Sequence, residues 1–214
     1  PIGVDALKPF GYELFANTPT TYAPAADIPV PPEYTIGPGD AVKVQLIGNV
    51  KANHKLVVGR TGEINFPELG PISVAGMPFD ELQSLIEKTV AEQMIGTRAV
   101  VSLGELRSLR VLITGEAERP GSYTVSGLST MTNALLVGGG VKPIGSLRKV
   151  QLKRGGRVVE TLDLYDLLLN GDSSNDARIL SGDVIFIPPV GQTAGVAGEI
   201  RRPAIYEYKG AATV

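Results

Sequence analysis

The chain has no cysteine, no tryptophan and a single histidine, and its net charge is only −2 over 214 residues. Without cysteine, disulfide scaffolds, thiolate nucleophiles and cysteine-ligated metal sites are excluded together. One histidine, His54, cannot build a His-rich zinc centre, and no Ser/His/Asp arrangement is apparent, so His54 reads as a surface turn residue. The absence of tryptophan removes the side chain that a tight glycan site would often use. Near-neutral charge argues against a nucleic-acid partner. Arg107, Arg110, Arg148, Lys149, Lys153, Arg154 and Arg157 do crowd the middle of the chain, and they read as solvated strand faces and turns. No apolar run approaches the ~20 residues a membrane-spanning helix needs. The chain opens on Pro1 and not Met, which is compatible with a removed leader.

What is present is ordinary for a soluble globular protein, with 43% hydrophobic and 20% charged residues. One feature stands out. Gly115-Glu116-Ala117-Glu118-Arg119-Pro120-Gly121-Ser122-Tyr123 returns as Gly198-Glu199-Ile200-Arg201-Arg202-Pro203-Ala204-Ile205-Tyr206, an offset of 83 that Gly127 and Gly210 also keep. A repeat at domain-sized spacing predicts a modular array. The second copy is cut off at Val214, so a piece of a longer protein is expected.

Four segments follow. Residues 1–33 are rich in Pro, Ala and Thr (Thr18-Pro19-Thr20-Thr21, Pro29-Val30-Pro31-Pro32) and read as an extended arm. Its apolar Leu7, Phe10, Tyr12, Leu14 and Phe15 are suited to dock, on the body of the protein or on a neighbouring subunit. A first domain, 34–106, opens with the turn Gly37-Pro38-Gly39-Asp40 and a strand over Ala41–Ile47. Lys55–Val58 and Glu63–Phe66 read as a hairpin turned at Gly62, and Ile72 and Val74 mark another short strand. Phe79, Leu82, Leu85, Ile86, Val90 and Met94 share a helical face, with Asp80 and Glu81 in the first turn, and a strand through Ala99, Val101 and Leu103 follows. The first repeat, 107–192, reads β-β-α-β-β-α-β, the order of a β-grasp (ubiquitin-like) sheet wrapped on a helix within the α+β class. Residues 193–214 begin a second copy, in which 194–210 form a hairpin. An isolated hairpin is marginal in water, so it is expected to pack on the first repeat or pair with another molecule's edge strand. A weaker echo sets Ile36-Gly37-Pro38-Gly39-Asp40 beside Ile179-Leu180-Ser181-Gly182-Asp183.

The candidate contact residues are Glu116, Arg119 and Tyr123, with Glu199, Arg202 and Tyr206 in the second copy. A Glu–Arg pair across each turn is the ordinary expectation, and contact with a sugar or a neighbouring subunit is the alternative. The tyrosines, with Tyr208, suit either sugar stacking or cross-strand packing. Asp40 and Asp183 are expected to cap turn amides. Gly138-Gly139-Gly140 follows a helix instead of opening one and lacks the Lys-Ser/Thr of a phosphate loop, so it reads as helix termination. No residue is singled out as catalytic, cofactor-binding or metal-ligating.

Tyr34–Asp40, Gly62-Glu63-Ile64, Leu69-Gly70-Pro71-Ile72 and the helix after Gly76 resemble the polysaccharide biosynthesis/export domain. Val111–Gly127, Ala134–Gly140 and Ser181–Pro188 resemble the soluble ligand-binding β-grasp (SLBB) domain. Their order is that of the Wza-like outer-membrane polysaccharide export proteins of Gram-negative bacteria, and Leu7–Phe15 looks like the arm of longer members with several β-grasp repeats. The resemblance implies a periplasmic protein associated with the outer membrane. It implies rings, typically octamers, acting as a structural conduit for capsular or exopolysaccharide chains without catalysis, and an inner-membrane polysaccharide co-polymerase as partner. Many members carry a lipidated N-terminal Cys and a C-terminal membrane-crossing helix, and neither is found in this sequence. Two other classes stay open at this point. One is a soluble β-grasp module binding a glycan or small ligand. The other is a polysaccharide lyase or hydrolase, for which glycoside hydrolysis needs two carboxylates about 5–10 Å apart in a cleft.

Overall fold

The computed structural model describes residues 6–16 and 30–210. They form two compact units. One is built from residues 30–108 with Ser126–Leu128, the other from residues 6–16, Leu109–Val125 and residues 129–210.

In the first unit β1 (Ala41–Gly48) pairs antiparallel with both β2 (Ala52–Val57) and β5 (Thr97–Leu103), giving a three-stranded sheet in the order β2-β1-β5. Alternation along the strands sends Val42, Val44, Leu46, Leu56, Ala99 and Val101 to one side. Leu82, Ile86 and Val90 of α1 (Phe79–Gln93) share their buried cluster. Asp80 and Glu81 occupy the first turn of α1, where the positive end of the helix dipole favours acids.

One pairing differs from expectation. β3 (Glu63–Phe66) joins β4 (Gly70–Ser73), not β2. β2 is already taken by β1 across the short Asn49-Val50-Lys51 turn, with Leu46 opposite Ala52. Gly59 N–H to Glu63 C=O and Gly62 N–H to Gly59 C=O fold the intervening segment into a local turn.

The second unit carries β6 (Ser108–Gly115), β7 (Gly121–Ser126), α2 (Met131–Val137), β8 (Val150–Arg154), β9 (Arg157–Leu162), α3 (Leu164–Asn170) and β10 (Val184–Ile187). The sheet order is β7-β6-β10-β8-β9, with β10 parallel to β6 and antiparallel to β8. That is the β-grasp arrangement predicted from the element order. Met131, Ala134 and Leu135 of α2 share a core with Leu109, Val111, Ile113, Ile185 and Ile187 of the central strands. Thr130 begins α2 through a capping box in which Asn133 takes the place of the usual Glu. Asp163 caps α3 by accepting from the Tyr165 N–H.

The second copy of the repeat contributes β11 (Thr193–Val196) and β12 (Ala204–Glu207), an antiparallel hairpin. It packs on its own first repeat, burying Ala204 in the same core. The N-terminal arm docks on the body. A 3-10 turn at Tyr12–Phe15 follows a short parallel pairing in which Ile205 N–H donates to Lys8 C=O and Phe10 N–H to Ile205 C=O. Phe10 and Phe15 are both buried in this core. The expected extension over Thr18–Thr21 lies outside the described residues.

Candidate functional site

The repeated loops have the same internal construction. Tyr123 donates its hydroxyl to Arg119 C=O at 2.6 Å, and Tyr206 donates to Arg202 C=O at 2.7 Å. Each tyrosine therefore closes its own turn. The Glu–Arg pair expected across each turn does not form. Among the described residues no ion pair joins Glu116 to Arg119 or Glu199 to Arg202. Arg119 turns instead to the C-terminal end of α2, where its Nη2 lies 3.4 Å from Val137 C=O and its backbone N–H bonds Gly138 C=O. Gly138 does terminate α2, its N–H reaching Ala134 C=O. The Tyr206 ring stacks on Phe10 at 4.9 Å, so that face is occupied by the arm. Glu199 and Arg202 are exposed, and no hydrogen bond links the two triplets among the described residues.

The first glycine of the motif has a clear physical reason. Gly115 has φ 81°, and a Cβ there would sit 2.0 Å from the carbonyl oxygen of Ile187 on the parallel strand β10. Gly198 keeps the same left-handed backbone at φ 103° with nothing within 4 Å of that position.

The echo of the two Gly-Asp turns proves to be structural. Asp40 Oδ2 accepts from Gly37 N–H at 2.9 Å, and Asp183 Oδ2 accepts from Leu180 N–H at 2.8 Å, three residues back in both cases. Both turns place a glycine at positive φ just before the aspartate, Gly39 at 96° and Gly182 at 87°. Each carboxylate also holds an arginine. Arg107 Nη1 lies 2.6 Å from Asp40, and Arg154 grips Asp183 with two bonds of 2.8 and 2.7 Å. The fork on Asp183 raises the Arg154 pKa further.

Sequence reasoning missed a buried, multiply bonded acid in the second unit. Glu207, 4% exposed, accepts from Ser146 Oγ at 2.7 Å, Gly191 N–H at 3.0 Å and Leu147 N–H at 3.2 Å. Its own N–H donates to the Tyr165 hydroxyl at 2.9 Å. Around it Arg148 and Lys209 converge on Asp163, and the Arg148 guanidinium lies 4.5 Å from the Tyr165 ring centre. The available signal was a difference between the copies, because Thr124 stands 83 residues before Glu207.

Tyr12 lies beside this cluster and donates to Gly145 C=O at 2.6 Å. Burial pushes its phenol well above the ordinary value, and the charge of Glu207 adds to the rise. Tyr165 is raised too, first by burial. A folded pKa above the unfolded one gives stability that is complete below about pH 10 and declines as pH rises toward the folded value. Stability measured by urea unfolding should therefore fall above about pH 10, and Tyr12→Phe should flatten that fall. An unchanged alkaline slope in Tyr12→Phe would contradict the assignment.

His54 is a strand residue, not a turn residue. It sits on β2 with its ring 5.2 Å from Phe66, its side chain 16% exposed, and Nε2 at 3.2 Å from Glu68 without hydrogen-bond geometry. The first unit also carries a recess of about 390 Å³ bordered by Lys43, Gln45, Asn53, Lys55, Val100 and Ser102. Val44 and His54 also border it, and the other six alternate with the buried positions of β1, β2 and β5. The sequence reading used those strands only for what they bury. Among the described residues no three His, Asp or Glu side chains gather as a metal site requires, and no helix is long and apolar enough to cross a membrane.

Residues 28–104 match the polysaccharide biosynthesis/export protein family, and residues 110–162 match the SLBB domain. The chain is thus a polysaccharide biosynthesis/export domain followed by an SLBB domain. It is homologous to named export proteins. It is 32% identical over 94% of its length to the polysialic acid transport protein KpsD of Escherichia coli, of which it covers 36%. It is 27% identical over 81% of its length to the EPS I polysaccharide export outer membrane protein EpsA of Ralstonia nicotianae, of which it covers 46%. The Ralstonia solanacearum EpsA is 28% identical over 69% of the chain. The chain therefore spans less than half the length of these relatives.

Proposed function

We propose that this chain is the periplasmic part of an outer-membrane polysaccharide export protein and works as a structural conduit component without catalysis. The observation that carries the reading is the order of an export domain and an SLBB domain in one chain that aligns with KpsD over 94% of its length. The geometry is consistent with it. Asp40 and Asp183, the buried acids an enzyme reading would recruit, are each committed to an arginine and a turn amide. The described recesses are half-open and lie on a sheet face, unlike the enclosed pockets with convergent groups that hold small ligands. A conduit has to let its polymer move, and tight binding would stall it. On this reading the full-length protein forms a ring at the outer membrane, meets an inner-membrane polysaccharide co-polymerase, and passes capsular or exopolysaccharide through its channel. Cyclic symmetry would repeat each polar surface around that channel.

Deleting the parent gene should remove polysaccharide from the cell surface while polymer accumulates within the envelope. Measuring both pools checks this. Unchanged surface polymer would overturn the export role and favour a β-grasp module that binds a small ligand.

A further inference from the structure

The outward face of the β2-β1-β5 sheet is assembled from alternate residues of three strands. Because Val42, Val44 and Leu46 are buried, Lys43 and Gln45 point the other way, as do Asn53 and Lys55 on β2 and Arg98 and Ser102 on β5. The register sets Lys43 directly opposite Lys55 on one side and Ser102 on the other, and Gln45 directly opposite Asn53 and Val100. Lys43, Lys51, Lys55 and Arg98 are all exposed. Among the described residues only Lys55 of these four has an acid partner, Glu105 at 3.0 Å.

Like charges placed directly opposite across a ladder destabilise a sheet, and a merely solvated face is better served by mixed signs. Lys43 against Lys55 at the middle of the sheet is such a pair, and the exposed Glu105 beside Lys55 offsets its charge only in part. The pair's field is felt locally. Lys55, by hydrogen bond and charge, and then Lys43, hold the Glu105 carboxyl below its usual range. The recess of about 390 Å³ over this pair shares Gln45 and Asn53 with a second of about 330 Å³ that continues to Lys51. The result is an open trough with cations at both ends and two side-chain amides between them. Val100, 45% exposed, gives it an apolar patch. An open trough admits a chain that continues past both ends, which an enclosed pocket does not.

We propose that this face binds a carboxylate-bearing polysaccharide segment, weakly and in a salt-dependent way, with Lys43 and Lys55 meeting carboxylates and Gln45 and Asn53 meeting sugar hydroxyls. The surface is argued from this geometry. Its role in passing polymer rests on the export reading above.

The test is a titration of the isotopically labelled 214-residue chain, followed by amide chemical shifts. Polygalacturonate oligomers are the acidic probe, dextran the neutral one and inorganic polyphosphate the non-sugar anion. Polygalacturonate should shift the amides of Lys43, Gln45, Asn53 and Lys55. Its binding should weaken by about tenfold or more in a Lys43→Gln/Lys55→Gln double variant, the loss expected for two charge-assisted contacts. It should also weaken between about 50 and about 300 mM salt. The double variant relieves this repulsion and gives up only the exposed Lys55–Glu105 pair, so its urea-unfolding midpoint should match the parent's, and lost binding would then not reflect lost folding. A Gln45→Ala/Asn53→Ala variant should keep the salt dependence and still bind less well. Dextran binding as well as polygalacturonate, polyphosphate binding more tightly than either, or undiminished binding by the lysine variant would each overturn the proposal. If gene deletion blocks export while this face binds nothing, the surface proposal alone falls. If deletion leaves export intact while polygalacturonate still binds here, the export reading alone falls.

Discussion

Asp40→Ala should destabilise the first unit by about 3–5 kcal/mol, the cost of removing one partner from a buried ion pair. Asp40 is fully buried and the Arg107 side chain is only 18% exposed, so water cannot easily replace what is lost. The truncation takes a charged acceptor from four donors at once, namely the Tyr34 hydroxyl, the Gly37 and Arg107 backbone N–H groups, and the Arg107 guanidinium, which keeps its bond to Thr35 C=O. Asp183→Ala removes the corresponding aspartate of the second turn and should cost less, about 1–3 kcal/mol, because Arg154 is 41% exposed and can return to solvent. Urea unfolding of both variants gives the comparison. Amide exchange should place the Asp40 effect in β1 and β5, which Gly37–Asp40 and Arg107 tie together. Equal losses for the two aspartates would mean that burial of the arginine does not govern the difference.

The same pair of turns illustrates what was readable in the sequence. Gly-Asp before a strand signalled a turn, and the amide-capping role of both aspartates followed from turn chemistry. Their arginines were not readable, because Arg107 lies 67 residues from Asp40 and Arg154 lies 29 from Asp183. Periodicity predicted α1, and cap residues and element order predicted α2 and the β-grasp order, since these signals report local structure directly. It misassigned the partner of β3, because alternation fixes which face a strand buries but not which neighbour it joins. For the candidate loops, the repeat located Glu116, Arg119, Tyr123 and their counterparts, yet not that the tyrosine hydroxyls turn back on their own loops. The lysine face went unread for a related reason. Opposing charges become visible only when register is known.

Glu207→Ala tests how the second copy of the repeat is held, and it should cost about 3 kcal/mol, since three donors in a buried site lose a charged acceptor together. The loss should be concentrated in the hairpin. Among the described residues β11 and β12 pair only with each other apart from the arm's short contact at Ile205, and a two-stranded hairpin has little stability of its own. What keeps it in place is burial of Ala204, the stacking of Tyr206 on Phe10, and the Glu207 carboxylate reaching into the first repeat. Removing the carboxylate leaves the Ser146 hydroxyl and the Leu147 and Gly191 amides facing a cavity. The hairpin and the arm should then loosen together, because Ile205 and Phe10 exchange backbone bonds with each other's segments. Amide exchange should show protection lost at Ile205 and Phe10 well before Ile185 in the central strand β10. Glu199→Ala, an exposed acid of the same repeat with no ion pair to Arg202, should stay within about 0.5 kcal/mol of the parent. If Glu207→Ala leaves Ile205 as protected as before, apolar contact alone holds the hairpin and the polar cluster is incidental to it.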